Sequence, residues 1–250
     1  MKPLNQRLLA WYDQHARTLP WRVSPKDGKL GVVPDPYHVW LSEVMLQQTT
    51  VAAVKPYFEK FIALWPGIHD LAAADTEDVM KAWAGLGYYS RARNLIACAR
   101  AISSEMGGQF PQIARELQTL PGIGPYTSAA VASIAFGEHV AVVDGNIERV
   151  STRHTANSTP LPQVKADCAA FMHAATPVDR PGDFVQAMMD LGATICSQNH
   201  LPAPFVRLIK IVGHTNPDQC WNIQSGLPEN ENQPDWEQPT SSSDRTARSG

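Results

Sequence analysis

Apolar residues recur at helical spacing along most of the chain up to Ile195. Leu8, Leu9, Trp11 and Tyr12 share one side of residues 4–16, which predicts a helix. From Thr50 to Trp65 the positions Val51, Val54, Tyr57, Phe58, Phe61, Ile62 and Trp65 repeat at i, i+3, i+4 and i+7, and Pro66-Gly67 ends the run. Between these two, residues 19–36 lose the pattern and read as a loop, and Pro36 suits the first turn of a helix over 37–48. Short helices are predicted at 68–74 and 76–83, then a longer one to about Met106 that Gly107-Gly108 would cap. Residues 127–135 form a small-residue helix, and 148–157, 163–175 and 184–195 read as three more. No segment alternates with period two, so the expected fold class is all-α.

Beyond Cys196 the pattern fails. Residues 197–250 hold six prolines, and the last stretch is mostly Asn, Glu, Gln, Ser, Pro and Asp. Such a composition buries too little apolar surface to offset its ordering entropy, so disorder is expected from about residue 215.

Composition adds bounds. With 44% hydrophobic and 18% charged residues, 250 residues are enough for two lobes with their own cores. No apolar run reaches membrane-spanning length, and the first residues lack an apolar signal core, so a cytoplasmic protein without a membrane partner is expected. Net charge is −3, but residues 216–250 carry six acids against two arginines, which leaves +1 for the rest. A near-neutral body with a locally basic cleft can still bind phosphates, so charge neither favours nor excludes DNA. Cys98, Cys168, Cys196 and Cys220 show no C-x-x-C spacing and read as isolated thiols in a reducing cytosol.

Chemistry concentrates around Leu120-Pro-Gly-Ile-Gly124. Gly122 and Gly124 allow a tight turn with positive φ and bare amides ahead of a helix, which is an anion site. Asp144 follows in an Asp-Gly-Asn turn and brings a carboxylate close to that phosphate anchor; alone, it would equally serve as a helix N-cap. Glu43 lies on a helix among Trp40, Leu41, Val44, Met45 and Leu46, surroundings that raise a carboxyl pKa.

Leu41-Ser-Glu-Val-Met-Leu-Gln-Gln-Thr49, Gly85-Leu-Gly-Tyr-Tyr-Ser-Arg-Ala-Arg93, the Leu120 to Gly124 turn, Val143-Asp-Gly-Asn146 and Ala187-Met-Met-Asp-Leu-Gly-Ala193 occur together. In that combination and order the chain resembles the adenine DNA glycosylases of the helix-hairpin-helix superfamily over residues 1–197. The resemblance implies two helical lobes with the active cleft between them. Residues 31–139 would form a six-helix barrel containing the hairpin 119–130, and residues 1–30 with 140–200 the second lobe, leaving 201–250 as a divergent tail. It also implies a monomer that removes adenine opposite 8-oxoguanine or guanine from double-stranded DNA in base excision repair. Glu43 would be the general acid at adenine N7 and Asp144 the anion that stabilises the cationic sugar, with Asn146 supporting it. Tyr126 stands where the strand-cutting relatives carry a Schiff-base lysine, which implies a monofunctional enzyme. Gln48 would wedge into the duplex and Tyr88 intercalate beside the damaged guanine; Gln186 would lie near the flipped base. Leu120, Gly122 and Gly124 would clamp a phosphate. Arg91, Arg93 and Arg149 are further phosphate candidates, although an arginine on a helix face is often only solvated.

The family's 4Fe-4S cluster uses four cysteines in C-x6-C-x2-C-x5-C spacing. Cys196 matches the first, but Ala203, Val206 and Val212 occupy the other three positions, so the cluster is expected to be absent. The family's C-terminal domain does not follow either, and a truncation or shifted reading frame after Cys196 is the economical account. Two alternatives to a working adenine glycosylase accompany that reading: a degenerate DNA-binding product with little or no activity, and an endonuclease III-like glycosylase with lyase activity.

Overall fold

The computed structural model describes residues 3–160 and 162–197. The tail 201–250, its expected disorder, and the positions Ala203, Val206 and Val212 lie outside the described residues. Among the described residues there are twelve α-helices and no strand, so the all-α expectation holds. They are α1 (Leu4–His15), α2 (Pro25–Lys29), α3 (Pro36–Leu46), α4 (Val51–Leu64), α5 (Ile68–Ala73), α6 (Thr76–Trp83), α7 (Tyr89–Glu105), α8 (Ala114–Leu117), α9 (Pro125–Phe136), α10 (Gly145–Thr155), α11 (Val164–Ala175) and α12 (Pro181–Thr194).

Local chemistry sets most boundaries. Asp35 accepts the Tyr37 amide at 2.8 Å with Pro36 in the first turn, which starts α3. Thr50 and Asp75 cap α4 and α6 in the same way. α2 was not expected: the Ser24 hydroxyl accepts from the Asp27 amide and donates to its carboxylate, and with Pro25 in the first turn this outweighs Gly28 inside the helix. α3 also ends before the predicted Gln48, because Gln47 already leaves helical backbone at ψ 116° and Gln48 follows with a left-handed φ of 55°.

Buried apolar side chains form two clusters. One is built by α3 to α8 with Leu19, Trp21, Leu120 and Ile123. The other is built by α1 with α10 to α12. α9 serves both: Val131 and Ala132 belong to the first cluster, Ala129 and Ala130 to the second. A helix buried on opposite sides can carry neither a charged stripe nor large side chains, and residues 127–133 are Thr, Ser, Ala, Ala, Val, Ala and Ser, all buried. The close packing reaches the backbone, since a Cβ on Gly182 of α12 would stand 2.6 Å from the Ser133 carbonyl oxygen and 2.8 Å from the Ile134 Cα.

Candidate active site

The two clusters flank a cavity of about 850 Å3 lined by residues of both. That is a volume in the range of sites that enclose a small molecule. Glu43, Gln48, Gly122, Gly124, Tyr126, Asp144, Asn146 and Gln186, all singled out in the sequence, line it together.

Glu43 enters from α3 and is only 8% exposed. Burial pushes its carboxyl up to about 7; the Tyr126 hydrogen bond and Arg22 work against that rise, and Asp144 adds to it. The Tyr126 hydroxyl donates to Glu43 Oε2 at 2.9 Å. Burial and then the neighbouring carboxylates hold the phenol well above its usual range, so Tyr126 remains a neutral donor.

Asp144 unites the two roles left open for it. It is the N-cap of α10, with Oδ1 accepting the Ile147 amide at 2.7 Å, while Oδ2 accepts Asn146 Nδ2 at 3.1 Å. Capping therefore fixes the carboxylate in the cavity wall. Asn146 is held in turn, because a Cβ on Gly192 of α12 would come within 2.6 Å of the Asn146 Cβ.

The hairpin between α8 and α9 turns at Gly122, whose φ is 72°. Gly124, expected to share that conformation, has φ −86° and serves as the N-cap of α9 instead. A Cβ on Gly122 would meet the Asn94 Cβ at 2.5 Å, so this position needs glycine for space as well as for φ. The N-terminus of α9, Gly124 to Thr127, lines the cavity; Pro125 has no N–H, and a helix start of this kind suits an anion. Leu120 itself is buried in the first cluster and offers only its backbone. Gln186 is buried, with Nε2 donating to the Gly182 carbonyl at 3.3 Å.

Two non-glycine residues expected at the duplex hold left-handed backbone, Gln48 in the cavity wall at φ 55° and Tyr88 at φ 46°. Such strain is commonly stored where side chains meet a ligand. Tyr88 does not line the cavity and is 46% exposed.

Two arginines expected at phosphates bond within the chain. Arg91 is 9% exposed and turned inward. Its Nη1 donates to the Val44 and Met45 carbonyls at 3.0 Å each and its Nη2 to the Leu86 carbonyl at 2.9 Å, with the guanidinium over the Trp83 and Tyr88 rings. It satisfies the last carbonyls of α3, and so braces the helix that carries Glu43. Arg149 donates to the Cys196 and Gly192 carbonyls at 2.6 and 2.8 Å and to Asn146 Oδ1 at 2.7 Å, fastening α10 to the end of α12. Arg93 is exposed.

Cys196 Sγ accepts from Arg153 Nη1 at 3.0 Å. Among the described residues no group of three or more His, Cys, Asp or Glu could hold a metal ion. Ala203, Val206 and Val212 bring no donor atoms to the remaining ligand positions, so the residues do not fit a four-thiolate cluster.

The sequence reading missed Arg17, Arg22 and Asp190. Both arginines line the cavity, and both are ion-paired to Asp190. One signal was present: Asp190 is a single carboxylate in an otherwise apolar run of α12, and such a buried charge requires a partner. Nothing in the sequence pointed to a partner more than 160 residues away.

Comparison with known proteins agrees with this geometry. A family model described as HhH-GPD superfamily base excision DNA repair protein matches residues 41–169, more than half of the chain. The adenine DNA glycosylase of Homo sapiens is 48% identical over 193 residues, 76% of this chain and 35% of that protein. The adenine DNA glycosylase of Mycolicibacterium smegmatis is 40% identical over 190 residues, 76% of this chain and 62% of that protein. This chain thus spans between about a third and three fifths of the length of these relatives. Among solved structures, a thermostable thymine-DNA glycosylase superposes with a TM-score of 0.68 at 28% identity, covering 78% of this chain and 87% of that one.

Proposed function

The chain belongs to the HhH-GPD superfamily of base excision DNA repair proteins, and from that premise we propose that it excises adenine mispaired with 8-oxoguanine or guanine in double-stranded DNA, without cutting the strand. The observation that carries this reading is a pair of carboxylates in one cavity with opposite surroundings. Glu43 is buried and hydrogen-bonded to a phenol; Asp144 accepts two N–H donors at a helix start. Two such environments separate an acid from an anion.

In this reading adenine leaves the stack and enters the cavity, Gln48 wedges into the duplex where it stood, and Tyr88 intercalates beside the damaged guanine. Glu43 delivers its proton to N7, so the electron pair of the C1′–N9 bond departs onto a protonated purine, which leaves as neutral adenine. The Tyr126 hydroxyl stabilises the glutamate that remains. Asp144 stabilises the cationic sugar until water adds to C1′ and gives its proton to the Glu43 carboxylate. The α9 amides hold a flanking phosphate. No amine stands at position 126 to form an imine with the sugar, which argues for hydrolysis over lyase chemistry.

The test is single-turnover adenine release from an A·8-oxoguanine duplex at several pH values, with borohydride trapping alongside. Release that declines above about pH 7, vanishes in Glu43→Gln and yields no trapped adduct is expected. Release retained in Glu43→Gln, or a trapped covalent complex, would refute the assignment.

A further inference from the structure

Asp190 is 0% exposed in the middle of α12, next to Met188, Met189 and Leu191 in sequence. An unpaired carboxylate there would be strongly unfavourable. Its oxygens accept four N–H bonds from the segment after α1: the Arg17 amide at 3.0 Å, Arg17 Nε at 2.6 Å, and Arg22 Nη1 at 2.8 and 3.0 Å. Arg17 and Arg22 line the same cavity as Glu43 and Asp144. One buried anion thus sets two guanidiniums into the wall of the site from behind, without lining the cavity itself.

We propose that Asp190 is a positioning residue for base excision: it fixes Arg17 and Arg22 as oriented N–H donors in the cavity wall and neutralises one of their two charges, so that Glu43 faces a tethered guanidinium instead of a free cation. The excision step rests on the function proposed above, whereas the clamp and its effect on Glu43 are properties of the chain alone. A short carboxylate on a rigid helix performs this task because it meets both guanidiniums and a backbone amide at once. Its fixed register then transmits the position of α12 to the linker that carries Trp21 and Arg22.

The consequence is electrostatic. The groups that act on Glu43 are Tyr126 from α9, Asp144 from α10 and Arg22 from the linker. Arg22 favours the ionised form of Glu43 and Asp144 opposes it. Removing the charge at position 190 leaves two uncompensated cations in the cavity wall, which strengthens the pull towards ionised Glu43. The acid form is then lost at lower pH.

The experiment is a titration of Glu43 in the full chain labelled with 13C at glutamate side-chain carboxyls, with Glu43→Gln identifying the resonance. Asp190→Asn is expected to lower the Glu43 midpoint by about one pH unit, and Asp190→Glu to keep it near wild type. In single-turnover release the same shift makes Asp190→Asn about tenfold slower than wild type at pH 8 and nearly equal at pH 5. A folded Asp190→Asn variant with an unchanged midpoint, or a rate loss equal at all pH values, overturns the proposal. If Asp190→Asn does not fold, Arg22→Met decides: it must raise the Glu43 midpoint, and an unchanged or lowered midpoint overturns the proposal. A shifted midpoint in a chain that releases no adenine supports the clamp and refutes the excision reading alone.

Discussion

Replacing Glu43 by glutamine should make the protein more stable at alkaline pH while it removes the acid. Glu43 titrates near 7 in the folded chain against 4.5 for an ordinary glutamate. A carboxyl whose pKa is raised by folding supports the folded state fully below its unfolded pKa and loses that support as pH rises through the folded one. The window here is therefore about pH 4.5 to 7. A difference of some 2.5 units at about 1.4 kcal/mol each amounts to roughly 3 kcal/mol by pH 8, and about 1 kcal/mol at pH 5. Glutamine is nearly isosteric, carries no charge to desolvate, and its carbonyl can still accept from the Tyr126 hydroxyl. Glu43→Gln should thus unfold about 6–12 °C above wild type at pH 8 and only a few degrees above it at pH 5, for a domain of this size. Thermal unfolding followed by far-UV circular dichroism at both pH values measures this. A variant no more stable than wild type at pH 8, or a gain of equal size at both pH values, would refute the burial account of Glu43.

Arg91→Lys should lower stability by about 2 kcal/mol in urea denaturation, because a single ammonium cannot serve the Val44, Met45 and Leu86 carbonyls together. In Arg91→Met, which removes the charge, the slope of log affinity for duplex DNA against log salt should stay unchanged, whereas loss of a phosphate contact would reduce it by about 1. Gly182→Ala should be destabilising by about 1–3 kcal/mol despite alanine's higher helix propensity, since the new methyl meets the Ser133 and Ile134 backbone. A denaturation midpoint equal to or above wild type would show that α12 can back away from α9 freely.

Much of this arrangement was legible before any coordinates. Helix periodicity gave the elements, Gly122 stood out by its glycine spacing, Glu43 as a carboxylate in apolar surroundings and Asp144 as a carboxylate in an Asp-Gly-Asn turn, whereas Tyr126 entered only through the family resemblance. What stayed hidden was pairing at long range. Arg91 and Arg149 read as surface cations because nothing local shows that backbone carbonyls of distant helices surround them. Arg22 and Asp190 are separated by 168 positions, so the clamp exists only once α12 has docked. Ser24 and Asp27 did carry a local helix signal, which the prolines and Gly28 of that segment obscured.

The small-residue helix α9 has a thermodynamic consequence. Because Ala129 and Ala130 face one core while Val131 and Ala132 face the other, neither core can open without stripping partners from the same backbone segment. The two halves of the molecule should therefore unfold as one cooperative unit, with the amides of α9 expected to be the last to exchange in a hydrogen-exchange measurement. The cavity lies at this seam, so the side chains that line it are anchored on a helix that both cores hold in place.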